Sequence, residues 1–159
     1  MAKNISLGSI SHGTLKSSDL VQAFHSELSH NERTDFDATG SGKIVAGLME
    51  LNDDDVWDAF NDTDDAPEIV EELSGILGSD LPPFFRFGAH EGDGSDFGYW
   101  FDNDAFEQSV RDGETVKVSE INWSAWNSAE HDEAYVAVIS DHGNIELYTA
   151  EGKHLYGVV

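Results

Sequence analysis

Residues 84–101 read Phe84-Phe85-Arg86-Phe87-Gly88-Ala89-His90-Glu91-Gly92-Asp93-Gly94-Ser95-Asp96-Phe97-Gly98-Tyr99-Trp100-Phe101, two aromatic runs joined by a connection rich in glycine and acid. Aromatic side chains suit a pleated, half-buried surface, and glycines free the backbone to turn, so 84–88 and 97–101 read as paired strands. Pro82-Pro83 immediately upstream ends any preceding helix, because proline lacks the amide that a helix needs. The chain therefore changes character here, from helical on one side to extended on the other.

Upstream, apolar residues recur at helical spacing. Leu20, Val21, Phe24 and Leu28 follow Ser17 and Ser18, which offer an N-cap with Asp19 in the first turn, and predict a helix over 18–29. Ile44, Val45, Leu48 and Leu51 predict a second helix after Gly40-Ser41-Gly42-Lys43. Val56, Trp57 and Phe60 mark a third, and Ile69, Val70, Leu73, Ile76 and Leu77 a fourth. The fourth is well punctuated, with Asp64 or Asp65 at the cap, Pro67 in the first turn and Gly78 past the end. Ahead of these helices, Ile5, Leu7 and Ser9 alternate as a short strand that Gly8 interrupts.

Downstream, Asp102 or Asn103 caps a short helix through Phe106 and Val110, and Val116 and Val118 alternate as a strand. Residues 122–133, which hold Trp123 and Trp126 among polar neighbours, read as a long loop. Runs 134–140, 144–149 and 154–159 are separated by Asp-His-Gly and Glu-Gly-Lys turns and predict a three-strand antiparallel meander. The expected class is α+β: N-terminal helices packed on a C-terminal, mostly antiparallel β-sheet with a final three-strand meander. At 159 residues the chain reads as a single domain, 1–159, with a helical half over about 17–78 and a sheet half over about 84–159.

Charge dominates the composition. Thirty-two Asp and Glu against eight Lys and Arg give a formal net charge of −24, and four Trp, four Tyr and nine Phe argue that so charged a chain still folds. Such a field repels nucleic acid and anionic membrane and attracts basic protein surfaces. There is no cysteine, so disulfides and thiolate zinc sites are excluded. Neither a signal-peptide apolar run nor a membrane-length apolar stretch is evident, so a soluble, cytoplasmic protein is expected.

Between Glu50 and Asp80 the chain carries twelve acids and no Lys or Arg. The apolar spacing persists through the block, so the acids belong to amphipathic helices rather than to a disordered tail. Acids on the solvent face of helices, at about 1.5 Å of rise per residue, approach the spacing of about 1.7 Å per charge in duplex DNA.

Three stretches together resemble a group of small proteins of phages, plasmids and other mobile elements. They are Ser11-His12-Gly13-Thr14-Leu15 with Asp19-Leu20 and Ala23-Phe24; Phe87 to Trp100; and Ile139-Ser140-Asp141-His142-Gly143-Asn144 with Leu147-Tyr148. The resemblance covers about half the chain, and it implies a mobile-element setting without an activity. The acidic block lies outside the shared pattern.

The leading expectation is a non-enzymatic, strongly acidic interaction protein that acts as a nucleic-acid mimic and occludes a basic nucleic-acid-binding protein or complex of the host, of anti-restriction or anti-CRISPR type. It assigns no catalytic residues and no cofactor. The contact surface is Glu50, Asp53, Asp54, Asp55, Asp58, Asp62, Asp64, Asp65, Glu68, Glu71 and Glu72. The alternative is a small metal- or ligand-binding protein, including an enzyme, that uses the His90 to Asp96 loop. His90, Glu91, Asp93 and Asp96 would then ligate a divalent cation, calcium being the best match to oxygen donors on a glycine-rich loop. A third reading is a salt-adapted accessory domain whose acids serve general solvation. Gly40-Ser41-Gly42-Lys43 is no phosphate loop, since Asp37 stands where its first glycine belongs and Ile44 replaces the hydroxyl. His12, His90 and His142 sit beside glycines in loops, with Ser11 and Ser95 as the nearest nucleophile types. Trp100, Trp123 and Trp126 read as core before recognition surface.

Overall fold

The computed structural model describes residues 5–31, 41–61, 63–126 and 135–159, with the side chains of 41–44 and of Asp53 outside the description. Where the length suggests one domain, the residues gather in two compact units, Met1–Trp100 and Phe101–Val159. The class is α+β, as expected.

The first unit is built around α1 (Ser17–His30). Leu20, Val21, Phe24 and Leu28 are buried along one side, the stripe that their spacing dictates. Lys16, not Ser17 or Ser18, occupies the N-cap position, and Ser18 is buried instead of capping. The short α2 (Ser41–Leu48) buries Val45 and Leu48, while Leu51 falls beyond the helix end and is exposed. Asn52 starts α3 (Asp53–Phe60), its side-chain oxygen accepting from the amides of Asp54 and Asp55 at 3.1 and 3.0 Å. Asp65 and Gly78 bound α4 (Ala66–Leu77), with Pro67 in the first turn, and Ala66, Ile69, Leu73 and Leu77 are buried. Both α3 and α4 pack on α1.

These helices share a core with a three-stranded antiparallel sheet of order β1-β3-β2, formed by β1 (Gly8–Ser11), β2 (Phe85–His90) and β3 (Asp93–Phe101). Phe24 of α1 meets Phe87 edge-on at 5.2 Å and Phe97 at 5.7 Å between ring centroids, and Phe87 meets the fully buried Tyr99 at 5.2 Å. The aromatic hairpin thus anchors the central helix. Gly98 is required where β1 pairs with β3: an added Cβ would lie 2.1 Å from the carbonyl oxygen of Gly8. The N-terminal strand starts at the very glycine that the alternation treats as an interruption, because Gly8 pairs with Tyr99 and Ser9 with Gly98.

The second unit opens with α5 (Asn103–Arg111), capped by Asp102 through the amide of Ala105 at 2.9 Å. A four-stranded sheet follows, order β4-β5-β6-β7, from β4 (Thr115–Val118), β5 (Tyr135–Ile139), β6 (Ile145–Thr149) and β7 (His154–Val158). The antiparallel meander is β5-β6-β7. β4 joins it in parallel on β5, so the extended half of the chain forms two sheets, not one, and one pairing is parallel. Trp126 donates to the carbonyl of Ala150 at 2.9 Å, and Trp123 packs on Tyr148 at 5.0 Å, so both half-buried indoles brace β6. Among the described residues no helix is long and apolar enough to cross a membrane.

Candidate functional site

The acidic residues of α3 and α4 stand where the helical period puts them, opposite the buried stripe. Val56 of α3 is buried and Asp54, Asp55 and Asp58 are exposed. On α4, Glu68 and Glu71 are exposed and Glu72 is half-buried, against buried Ile69, Leu73 and Leu77. Glu50, Asp64, Asp65 and Asp80 are exposed in the connections. Among the described residues, no ion pair involves any of these carboxylates. Asp55 accepts a hydrogen bond from Asn52 Nδ2 at 2.6 Å, within its own cap. Asp62 lies outside the described residues, and of Asp53 only the backbone is described.

The geometry sets a local charge density. Residues 54–58, and likewise 68–72, span four residues of rise, about 6 Å, and each carries three carboxylates, or about one per 2 Å of axis. That is close to the phosphate spacing of about 1.7 Å per charge along duplex DNA. The scaffold holding these acids is rigid in a specific sense: each helix is fixed by buried apolar residues on its opposite side. Among the described residues, one base sits beside the block. Lys16 donates from Nζ to Asn61 Oδ1 at 2.6 Å and lies 5.4 Å from the Trp57 ring centroid, a cation–π contact at the C-terminal end of α3.

The hairpin loop behaves differently. His90, Glu91, Asp93 and Asp96 are each engaged separately. His90 Nδ1 accepts from the amide of Gly92 at 3.1 Å, and its ring packs on Trp100 at 4.7 Å. Glu91 faces Arg86 at 3.4 Å. Asp93 Oδ1 accepts from the hydroxyl of Ser95 at 2.7 Å and from its amide at 2.9 Å, and these two bonds hold its carboxyl below the usual carboxylate range. Asp96 lies 3.6 Å from Nδ1 of His12, and its Oδ1 is buried without a hydrogen-bond partner among the described residues. Among the described residues, no three His, Asp or Glu side chains gather as a metal centre would require. Asp93 instead makes an Asx turn that organises its own loop.

Sequence spacing gave no sign of one association: the Ser11 to Leu15 loop docks on the hairpin. Gly13 N donates to Ser95 O at 3.0 Å, His12 faces Asp96, and Thr14 Oγ1 donates to Asp19 Oδ2 at 2.9 Å. Two of the three motif stretches quoted above are therefore neighbours in space. Ser95 Oγ donates to Asp93 rather than to a histidine. In the second unit, His142 is exposed in the β5–β6 turn, and His154 Nε2 meets Glu146 Oε2 at 2.6 Å across β6 and β7.

The negative charge is spread over both units. Twenty acids against five Lys and Arg in 1–100, and twelve against three in 101–159, give each about one excess negative charge per six to seven residues. What distinguishes the first unit is concentration, since twelve of its twenty acids fall between Glu50 and Asp80. Compared with known proteins, the chain matches no family model, no curated protein and no solved structure.

Proposed function

We propose that this is a non-enzymatic acidic interaction protein of a mobile element, which presents the carboxylates of α3 and α4 as a substitute for nucleic acid to a basic, nucleic-acid-binding protein of the host. The observation that carries the reading is the pair of helices whose exposed acids lack an ion-pair partner among the described residues while their opposite sides are buried. Uncompensated like charge on a packed helix disfavours folding, and its presence is explained if a basic partner neutralises it. The partner is a cationic groove that otherwise holds a phosphate backbone. The test is competition. Labelled duplex bound to candidate restriction or CRISPR nucleases is titrated with the protein at several salt concentrations. Displacement that weakens as salt rises, and that is lost in a Glu68→Gln/Glu71→Gln/Glu72→Gln variant, supports the reading. Displacement insensitive to both salt and the substitutions sinks it.

One observation favours a second reading. Equal charge per residue in the two units fits acids kept for solvation in a salt-rich cytoplasm, which needs no particular face. That reading requires the melting temperature to climb steeply up to molar potassium chloride, with no basic protein retained at low salt.

A further inference from the structure

The structure brings two helix N-termini to one small cavity. A pocket of about 170 Å³ is lined by Lys16, Ser17 and Ser18 at the start of α1 and by Ala66 at the start of α4, with Thr63 beside them and Phe60 and Pro67 as its apolar wall. Neither helix has a side-chain cap: the side chains of the residues in the N-cap positions, Lys16 and Asp65, bond no first-turn amide, although the Lys16 carbonyl accepts from the amide of Asp19 at 3.1 Å. The amides of Ser17, Ser18 and Ala66 have no acceptor among the described residues. Unpaired first-turn amides at the positive end of a helix dipole are donors awaiting negative charge.

A second observation points the same way. Ser18 is 2% exposed, lines the pocket, and its Oγ is buried with no hydrogen-bond partner among the described residues. A buried hydroxyl without a partner is costly, and an oxygen acceptor inside the pocket would satisfy it. The pocket thus brings together Lys16, whose Nζ also donates to Asn61 Oδ1, with hydroxyl-bearing residues and uncapped helix amides around a volume that suits a compact ion.

We infer that this pocket binds a small tetrahedral oxyanion of the phosphate class, either free or as the terminal group of a monoester. It takes its charge partner from Lys16 and its orientation from the α1 and α4 amides and Ser18 Oγ. The site stands independently of the acidic face proposed above. Its setting gives it an unusual salt dependence. Asp64 and Asp65 are exposed just before α4 and the whole chain carries −24, so long-range repulsion opposes anion entry. Potassium chloride screens that repulsion, and the affinity for phosphate rises with background salt up to the point where chloride competes.

Amide NMR of the full chain, titrated with inorganic phosphate at fixed ionic strength and in parallel with a phosphate monoester, tests this. Saturable shifts of Ser17, Ser18 and Ala66 are expected, with at least about a tenfold weaker midpoint in Lys16→Gln, since one charge-assisted hydrogen bond is lost. Ser18→Ala should melt no lower than the parent and yet bind more weakly, a split that a purely structural serine does not produce. A response to both ligands places a phosphoryl group in the pocket, and a response to inorganic phosphate alone restricts the site to the free ion. Absence of saturable shifts at these amides, or an unchanged midpoint in both variants, overturns the assignment.

Discussion

Asp58→Asn should strengthen the fold and weaken partner binding in the same molecule. Asp58 stands four residues after Asp54 and three after Asp55 on α3, so it makes two like-charge contacts along the helix surface. Each such pair costs about 0.2–0.5 kcal/mol. It also lies in the last turn of a helix that ends at Phe60, where a negative charge opposes the dipole by about 0.3–1 kcal/mol. Removing the charge relieves all three terms, and because the side chain is exposed the lower end of the sum applies, about 0.7 kcal/mol. Urea unfolding at low ionic strength reads this directly: with a slope of about 1–3 kcal/mol per molar, the midpoint rises by about 0.2–0.7 M. In 1 M sodium chloride the gain should fall below detection, since the Debye length shrinks to about 3 Å. Where the proposed basic partner exists, the same variant should displace duplex from it less effectively. A midpoint that drops at low salt, or a gain that persists unchanged at 1 M, would refute the electrostatic reasoning.

Other substitutions probe the scaffold. Gly98→Ala places a methyl group 2.1 Å from Gly8 O, so β1 must leave β3, and thermal melting should show a loss of at least about 2 kcal/mol or no cooperative transition. Ser95→Ala removes the hydroxyl bond that depresses the Asp93 carboxyl, so its titration followed by carbon NMR should move up toward the ordinary carboxylate range. In the parent protein that depressed carboxyl contributes stability at pH values above its unfolded pKa, lost as pH falls through its folded one. Burial, reinforced by the neighbouring Tyr135, pushes the Tyr156 phenol well above its usual range. Its contribution to stability is therefore complete below about pH 10 and declines above it, and in an alkaline absorbance titration Tyr156 should be the last tyrosine to ionise, or should do so only with unfolding.

The sequence was legible wherever the decisive interaction was local. Period and punctuation place α4 between Asp65 and Gly78, and short polar turns place the meander strands. The exposed placement of Asp58, Glu68 and Glu71 follows from the same period, because a helix that buries Val56 or Leu73 must present those positions to water. What stayed hidden depended on partners far along the chain. Nothing in residues 84–101 says that their sheet takes β1 as its third strand while the meander closes a separate sheet with β4. At α1 two adjacent serines satisfy the N-cap preference, yet a lysine holds the position. The hairpin loop has the composition of a cation site, yet Asp93, Glu91, Asp96 and His90 each found a different neighbour: Ser95, Arg86, His12 and Trp100. Composition names the donors available, and only the fold decides toward what they turn.

The parallel placement of β4 has a kinetic consequence. The meander closes through turns of five and four residues, 140–144 and 150–153, whereas β4 reaches β5 only across the sixteen residues 119–134. Two doublings of loop length cost about 1.2 kcal/mol of chain entropy, so β4 docks late in refolding and departs early in unfolding. While it is away, the edge of β5 is bare, and that strand reads Tyr-Val-Ala-Val-Ile, uncharged and β-prone, the kind of segment that recruits copies of itself. Lys117 of β4, paired with Glu107 of α5, keeps a charge on the edge once the strand is home. In a chain this acidic, the mutual repulsion of whole molecules guards the same edge during the interval.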